Sequence, residues 1–314
     1  MSGRTDSWIV AEDSARTRLD QFLVRCIPGE SRSRVQAWIR AGHVEVNGQR
    51  VKSGYRMRPH DRVVLAAPAP APPLPPCPED IPLDILYEDA DLAVVNKPAG
   101  LVCHSGAGVR SHTLVNALLY RMGPLDTGDP VRPGIVHRLD KFTSGVLVVA
   151  KNLQAHRALS QQFKARKVRK QYLALVHGTP APVSGTIDRP IGRDPKDRKR
   201  MSVLARRSRA AITHYSVLET RGPLSLLEVR IETGRTHQIR VHLASQGHPV
   251  VGDSVYRRAS GGQAAGLGRP FLHAYRLEFR HPRSGEPMSF AAPLPAELLS
   301  FLSRVGIRRC TPAK

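Results

Sequence analysis

Between Pro68 and Pro78 the chain reads PAPAPPLPPCP, seven prolines in eleven positions. Proline fixes φ and offers no amide donor, so neither a helix nor a sheet ladder can run through this stretch. It is expected to form an extended polyproline spacer of about 34 Å. Separate units must then fold on either side of it, and 314 residues suffice for two. The expected organisation is a small unit at 14–67, a linker at 68–80 and a large unit at 81–304.

In the small unit, Leu19, Phe22, Leu23 and Cys26 recur at the spacing of one helical face. Ser33 and Gln36 form a capping-box pattern for a second helix, whose buried side is Val35, Trp38 and Ile39 and whose end is marked by Gly42. In VEVNGQRV the pair Asn47–Gly48 sits between alternating apolar residues, a strong hairpin signal, and Asp61–Leu65 reads as a closing strand. Eleven Lys/Arg face four acids over 14–65, with Arg32, Arg34 and Arg40 around the second helix. Such a basic face is either simply solvated or follows a polyanion. Two helices and a hairpin bearing R-L-D-Q-F-L…S-R…I-R-A-G-H-V-x-V-N-G resemble the αL-type RNA-binding domain first seen in a small-subunit ribosomal protein. The resemblance implies that Arg32 and Arg34 contact the RNA backbone.

Past the linker, short strand-like runs at Leu92–Val95, Gly145–Ala150, Tyr172–Val176, Leu226–Ile231 and Arg276–Phe279 are interrupted by helical stretches around Thr113–Tyr120, Gln154–Phe163 and Gln238–Gln246. Without steady βαβ alternation this predicts an α+β fold with a mixed, largely antiparallel central sheet. No apolar run reaches the length of a membrane span, and MSGRTDSWIV lacks a signal-peptide core. Cys26, Cys77, Cys103 and Cys310 are widely separated, which argues against a zinc site and a disulfide framework. A cytoplasmic protein without membrane association is expected. Its formal charge of +22 is open to three explanations, nucleic acid, an anionic membrane surface or simple solubility, and the distribution of charge along the chain decides among them better than the total.

Three segments could carry chemistry. In GIVHRLDKFTSGVLVVAK a polar turn, His137–Gly145, interrupts two apolar runs and would present Asp140 as a nucleophile or general base. ETGRTHQIRVHLASQG places Gly234–Arg235 at a strand-to-helix turn, with Thr236 as a plausible cap. KVRKQYLALV leads a basic cluster that includes Lys170 into a strand carrying Tyr172. Taken singly, each is more simply read as a turn-forming aspartate, a surface arginine or a core tyrosine.

Together the blocks NKPAGLVCH (96–104), PGIVHRLDKFTSGVLVVAK (133–151), PIGRDPKDRKRMSV (190–203), TGRTHQIRVHLASQGHPVVGDSVY (233–256) and SGEPMSFAAPLP (284–295) resemble the RluA family of pseudouridine synthases, in that family's order. The αL-type domain in front makes the D-type branch, which acts on large-subunit ribosomal RNA, the nearest match. The resemblance implies isomerisation of uridine to pseudouridine within RNA, with no metal and no cofactor, by a monomer. It implies Asp140 as the catalytic carboxylate, Arg235 as its ion-pair partner, and Tyr172 stacked on the target base and able to help remove the carbon-5 proton. It further implies that Arg138 enters the duplex as the uridine flips out, that Ile239 walls the uracil pocket and that Lys170 binds substrate.

Phe142 stands where an acidic residue is frequent in that family, and Ser105 where proline often follows. Nine Lys/Arg against two acids over 189–209 are either a solvated loop or a further RNA contact. An aspartyl-phosphate hydrolase would need a second acid for Mg²⁺ near Asp140, where Phe142 stands instead. A noncatalytic rRNA-binding assembly factor fits the composition equally well, but need not keep Asp140, Tyr172 and Arg235 together.

Overall fold

In the computed structural model, residues 4–67, 75–106, 109–195, 197, 200–256 and 266–309 are described. Most of the proline-rich run, Lys196, Arg198 and Lys199 of the basic stretch, most of the Ser260–Gly268 loop expected from sequence, and Cys310 lie outside them. The chain divides into two compact units, 1–73 and 74–314.

The small unit comprises β1 (Arg4–Ile9), α1 (Leu19–Cys26), α2 (Arg32–Arg40), β2 (Val44–Val46), β3 (Gln49–Arg50) and β4 (Arg62–Ala67). Its antiparallel sheet has the order β1-β4-β2-β3. Leu19, Leu23, Val35, Trp38 and Ile39 pack into one core with Val44, Val63 and Leu65 from the sheet. Asn47 and Gly48 both have positive φ, 52° and 78°, as a two-residue hairpin between β2 and β3 requires. The sequence reading starts this unit at residue 14 and omits β1, whose partner β4 lies more than fifty residues away. It also misplaces the cap of α2. Ser31, not Ser33, accepts from the Arg34 amide, and Gln36 instead donates to Asp20 at 2.6 Å.

The large unit is α+β. Its strands are β5 (Asp84–Glu88), β6 (Leu92–Lys97), β7 (Ser144–Ala150), β8 (Arg169–His177), β9 (Ser184–Asp188), β10 (Ile191–Arg193), β11 (Met201–Ser202), β12 (Ser208–Arg209), β13 (Ile212–Arg221), β14 (Leu224–Ile231), β15 (Leu272–Arg280) and β16 (Pro287–Ala291). Its helices are α3 (Leu114–Met122), α4 (Leu153–Lys164), α5 (Gln238–Ser245) and α6 (Ala296–Arg304). The main sheet runs β5-β6-β7-β15-β8-β14-β13-β9, with β16 also paired to β15, and β10, β11 and β12 form a separate small sheet. Every pairing of the main sheet is antiparallel except β7 with β15, which makes it mixed.

The centre of this sheet is apolar on both faces. All seven residues of β7 are buried, as are the interior residues of β8. Two clusters divide the load: one includes Leu147, Leu173, Leu175, Leu227 and Ile239, the other Val146, Val148, Leu159 and Phe279. At the parallel seam Gly145 has φ +117°, and a Cβ there would stand 2.1 Å from the Ala274 carbonyl oxygen. Only glycine lets β7 meet β15 so closely, which fixes where the preceding loop enters the sheet.

Candidate active site

Asp140 lies in that preceding loop. Side chains from distant parts of the chain grip the loop's peptide groups one after another. Cys103 Sγ donates to the Leu139 carbonyl at 3.3 Å and accepts from the Leu139 amide at 3.4 Å. The Lys141 carbonyl accepts from Lys97 Nζ at 3.3 Å and from the Gly100 amide at 2.8 Å. The Phe142 carbonyl accepts from Arg269 Nη1 at 3.0 Å, and Ser144 Oγ from Arg269 Nη2 at 3.2 Å. Within the loop, the Thr143 amide donates to the Asp140 carbonyl at 3.1 Å. A backbone held at four successive residues leaves the Asp140 side chain little freedom beyond its own rotamers.

Lys97 is fully buried at the end of β6, and its ammonium also donates to the Pro98 and Leu101 carbonyls at 2.7 and 2.9 Å. Burial lowers this amine to about 8, and the three carbonyls hold the charge that remains. His137 works differently. Burial, with Lys170 adding to it, lowers its imidazole to about 3, so the ring is neutral and Nε2 accepts from the Val148 amide at 3.1 Å. The ring stacks on Phe163 at 4.6 Å.

The Asp140 carboxylate, one-fifth exposed, opens into a cleft of about 470 Å³. The walls are the loop 136–143, the end of α4, the starts of β8 and β15, the end of β14 and the turn into α5. Tyr172, Arg138, Ile239, Lys170 and Arg235 all line it with Asp140, so the structure gathers the sequence candidates of the large unit into one place. Ile239 is buried on α5, and Lys170 is held by the Glu232 carbonyl at 3.3 Å, with its amine lowered to about 8 by burial and by Arg166. Arg138 stands exposed at the cleft, with no hydrogen-bond partner among the described residues.

The ion-pair expectation needs correction. The guanidinium paired with Asp140 belongs to Arg240, whose Nη1 lies 3.3 Å from Asp140 Oδ2. Arg240 is buried and also grips Asp253 through Nε (2.6 Å) and Nη2 (2.9 Å). Arg235 sits on the turn before α5, where its Nε donates to the Ala210 carbonyl at 3.1 Å. Residue 240 lies within the helix and is buried, whereas residue 235 lies on the preceding turn and its guanidinium is engaged at the Ala210 carbonyl. Tyr172 lines the cleft beside Asp140, and burial, reinforced by Asp140, raises its hydroxyl above the ordinary range.

The entry to α5 also differs. Its cap residue is His237, in the left-handed region at φ 56°, rather than Thr236. Gln238 replaces a cap in effect: its Oε1 accepts from the Arg235 amide and from Thr233 Oγ1 at 3.0 and 2.7 Å. The strained backbone aims His237 into the cleft, where Nε2 lies 4.0 Å from Asp140 Oδ2. Sequence reasoning also missed Arg240, Lys97, Cys103 and Arg269. The first three lie inside quoted blocks, whereas Arg269 has no local signal.

In the small unit, Arg32 is half-exposed, and its Nε and Nη2 meet the fully buried Asp20 carboxylate at 3.0 and 2.9 Å. Arg34 pairs with Glu30 at 3.5 Å and lies over the Trp38 ring. Three donors, from Arg18, Gln36 and Arg32, hold Asp20 at about 2 against the effect of burial. Among the described residues no helix is long and apolar enough to cross a membrane.

Comparison with known proteins places this site in a family. Residues 91–245 match the RNA pseudouridylate synthase model, and residues 17–63 match the S4 domain model. The chain is 45% identical over 304 residues to the RNA pseudouridine synthase YlyB of Bacillus subtilis (strain 168), covering 94% of this chain and 97% of the relative. It is 45% identical over 310 residues to the ribosomal large subunit pseudouridine synthase D of Xanthomonas campestris pv. campestris, covering 94% of this chain and 91% of the relative. The solved structure of human RNA pseudouridylate synthase domain containing 1 aligns with TM-score 0.57 and 32% identity, over 68% of this chain and 84% of that one. A relationship of this extent covers both the RNA-binding unit and the cleft around Asp140, and the chain belongs to the RNA pseudouridine synthases.

Proposed function

We propose that this enzyme converts uridine to pseudouridine in large-subunit ribosomal RNA, in the cytoplasm, with Asp140 as its catalytic carboxylate. The observation that carries the reading is an aspartate on a clamped loop, paired on one side with a buried guanidinium and open on the other to a cleft. The isomerisation breaks the bond from ribose carbon 1′ to ring nitrogen 1 and joins carbon 1′ to ring carbon 5. Carbon 5 gives up a proton and nitrogen 1 gains one, so atoms balance without water or a redox partner. Asp140 can act by attacking the sugar or the base, or by first removing a sugar proton. Each route uses the Asp140 carboxylate, whose Oδ2 meets Arg240 Nη1 at 3.3 Å.

The cleft provides room for one extruded base. Tyr172 supplies an aromatic face, Ile239 an apolar wall, and Lys170 with Arg138 cationic edges for the backbone. The S4 domain, with Arg32 and Arg34 on α2, adds sequence-independent affinity for the ribosomal RNA. The large-subunit assignment draws on the name of the Xanthomonas relative. Pseudouridine mapping of ribosomal RNA from cells carrying the wild-type gene or its Asp140→Asn form tests it. Loss of large-subunit sites alone is the expected outcome, and loss confined to another RNA would move the substrate.

Base flipping makes its own prediction at Arg138. Side-chain entry into the vacated stack matters only where the uridine begins stacked, and extrusion costs a few kcal/mol. Under single-turnover conditions Arg138→Ala should regain about tenfold or more on a uridine already unstacked, compared with one in a duplex. Equal impairment on both substrates would remove this role.

A further inference from the structure

Tyr256 takes no part in the chemistry proposed above, yet it contacts both His237 and Arg240, the two side chains nearest the Asp140 carboxylate. It is buried after β14 and α5, and its amide, like that of Val255, donates to Asp253 Oδ1. Asp253 is the same carboxylate that holds Arg240. The Tyr256 ring is flanked by two guanidiniums: Arg240 at 5.2 Å on the catalytic side, and Arg200, from the basic stretch leading into β11, at 5.4 Å. Its hydroxyl joins two further groups. The Met201 amide donates to it at 2.8 Å, and it lies 2.9 Å from His237 Nδ1.

Counting donors favours one proton order along this chain. A backbone amide can only donate, so Met201 uses a lone pair of the phenol oxygen. The hydroxyl hydrogen then needs an acceptor, and among the described residues the one within reach is His237 Nδ1. An imidazole that accepts at Nδ1 and is neutral carries its proton on Nε2. That N–H faces Asp140 Oδ2 across 4.0 Å. This is longer than a hydrogen bond, and such contacts tighten when substrate binds.

We propose that Tyr256 is a positioning residue: anchored by the Met201 amide of β11, it fixes His237 as the Nε2–H tautomer and directs that donor at Asp140. Seating of β11 is thereby linked to the orientation of the catalytic carboxylate. Burial acts in the same sense, holding the His237 imidazole below its ordinary value despite Asp140, so the neutral ring is the one the tyrosine meets. The inference rests on the reading of Asp140 given above.

Tyr256→Phe keeps the ring, its two guanidinium contacts and the amide bond to Asp253, and removes only the hydroxyl. Its single-turnover rate on saturating RNA should fall about tenfold, the size of one lost positioning hydrogen bond. RNA affinity should stay within about twofold and the melting temperature within a few degrees, as for a change that removes one bond. His237→Asn, chosen because asparagine tolerates positive φ, should also be slow. The double variant should be no slower than His237→Asn alone, since the hydroxyl acts through the imidazole. In the wild-type protein, ¹⁵N shifts of the His237 ring should show a proton on Nε2 and none on Nδ1, a readout independent of whether any variant folds.

A Tyr256→Phe rate within about twofold of wild type, multiplicative losses in the double variant, or a proton on Nδ1 would each overturn the proposal. Asp140→Asn run in parallel separates the two readings. If it is inactive beside a full-rate Tyr256→Phe, only the positioning role falls. If it turns over, the assignment of Asp140 falls and this inference with it.

Discussion

Asp140→Asn should abolish turnover, with a loss of at least about a thousandfold, or some 4 kcal/mol of transition-state stabilisation. The carboxamide keeps the size of the side chain and can still accept from Arg240 Nη1. The clamps on the loop act through the backbone of Leu139, Lys141 and Phe142, and none of them depends on the Asp140 charge. Structure should therefore survive while the negative charge is lost. A neutral amide is neither a nucleophile toward carbon 1′ nor a base toward a sugar proton, so each route through Asp140 closes together. RNA affinity should be nearly unchanged, because it arises chiefly from phosphate contacts by many Lys and Arg. Release of tritium from carbon 5 of uridine in RNA reads the chemistry, and filter binding reads the affinity. Retained tritium release would remove Asp140 from the mechanism.

The features legible in the sequence were those encoded locally. Asn47–Gly48 declares its hairpin because both residues must adopt positive φ, and few other pairs do so cheaply. The runs of β7 and β8 stand out because strands buried on both faces must be apolar throughout. Asp140 was visible because a polar turn between two such runs has to bring its side chains to a surface. Contacts that join remote segments left no such mark. β1 pairs with a strand beyond the hairpin, and its residues are largely exposed, so no buried periodicity announces it. Arg269 reaches Phe142 across more than a hundred residues. His237 takes a left-handed conformation and caps α5 in place of Thr236, a backbone choice that no local spacing announces, although the helix itself starts at Gln238 as expected.

The misplaced arginine follows from the same limit, and Arg240 carries the other large expected effect. Motif order alone offers two arginines five apart in GRTHQIR, and the choice depends on which one α5 turns inward. Arg240→Ala would strip Asp253, which is almost fully buried, of both charged donors, and Asp140 of its ion pair. Breaking a buried pair from one side leaves an uncompensated charge and costs about 3–5 kcal/mol. For a unit of this size that is a fall in melting temperature on the order of 10 °C, with activity lost as well. Arg240→Lys separates the two consequences. An ammonium keeps the charge, but it cannot span both oxygens of Asp253 and still reach Asp140, so more stability than rate should be recovered. Arg235→Ala removes one bond to the Ala210 carbonyl, and its stability should change by less than about 1 kcal/mol. Any loss there should appear in RNA affinity, since Arg235 faces the cleft rather than the carboxylate. If Arg235→Ala instead abolished the chemical step while Arg240→Ala stayed folded and active, the ion pair at Asp140 would have to be reassigned. The buried fork on Asp253 argues against that outcome, because a guanidinium already spending two donors on a fixed carboxylate is held where its third can meet Asp140.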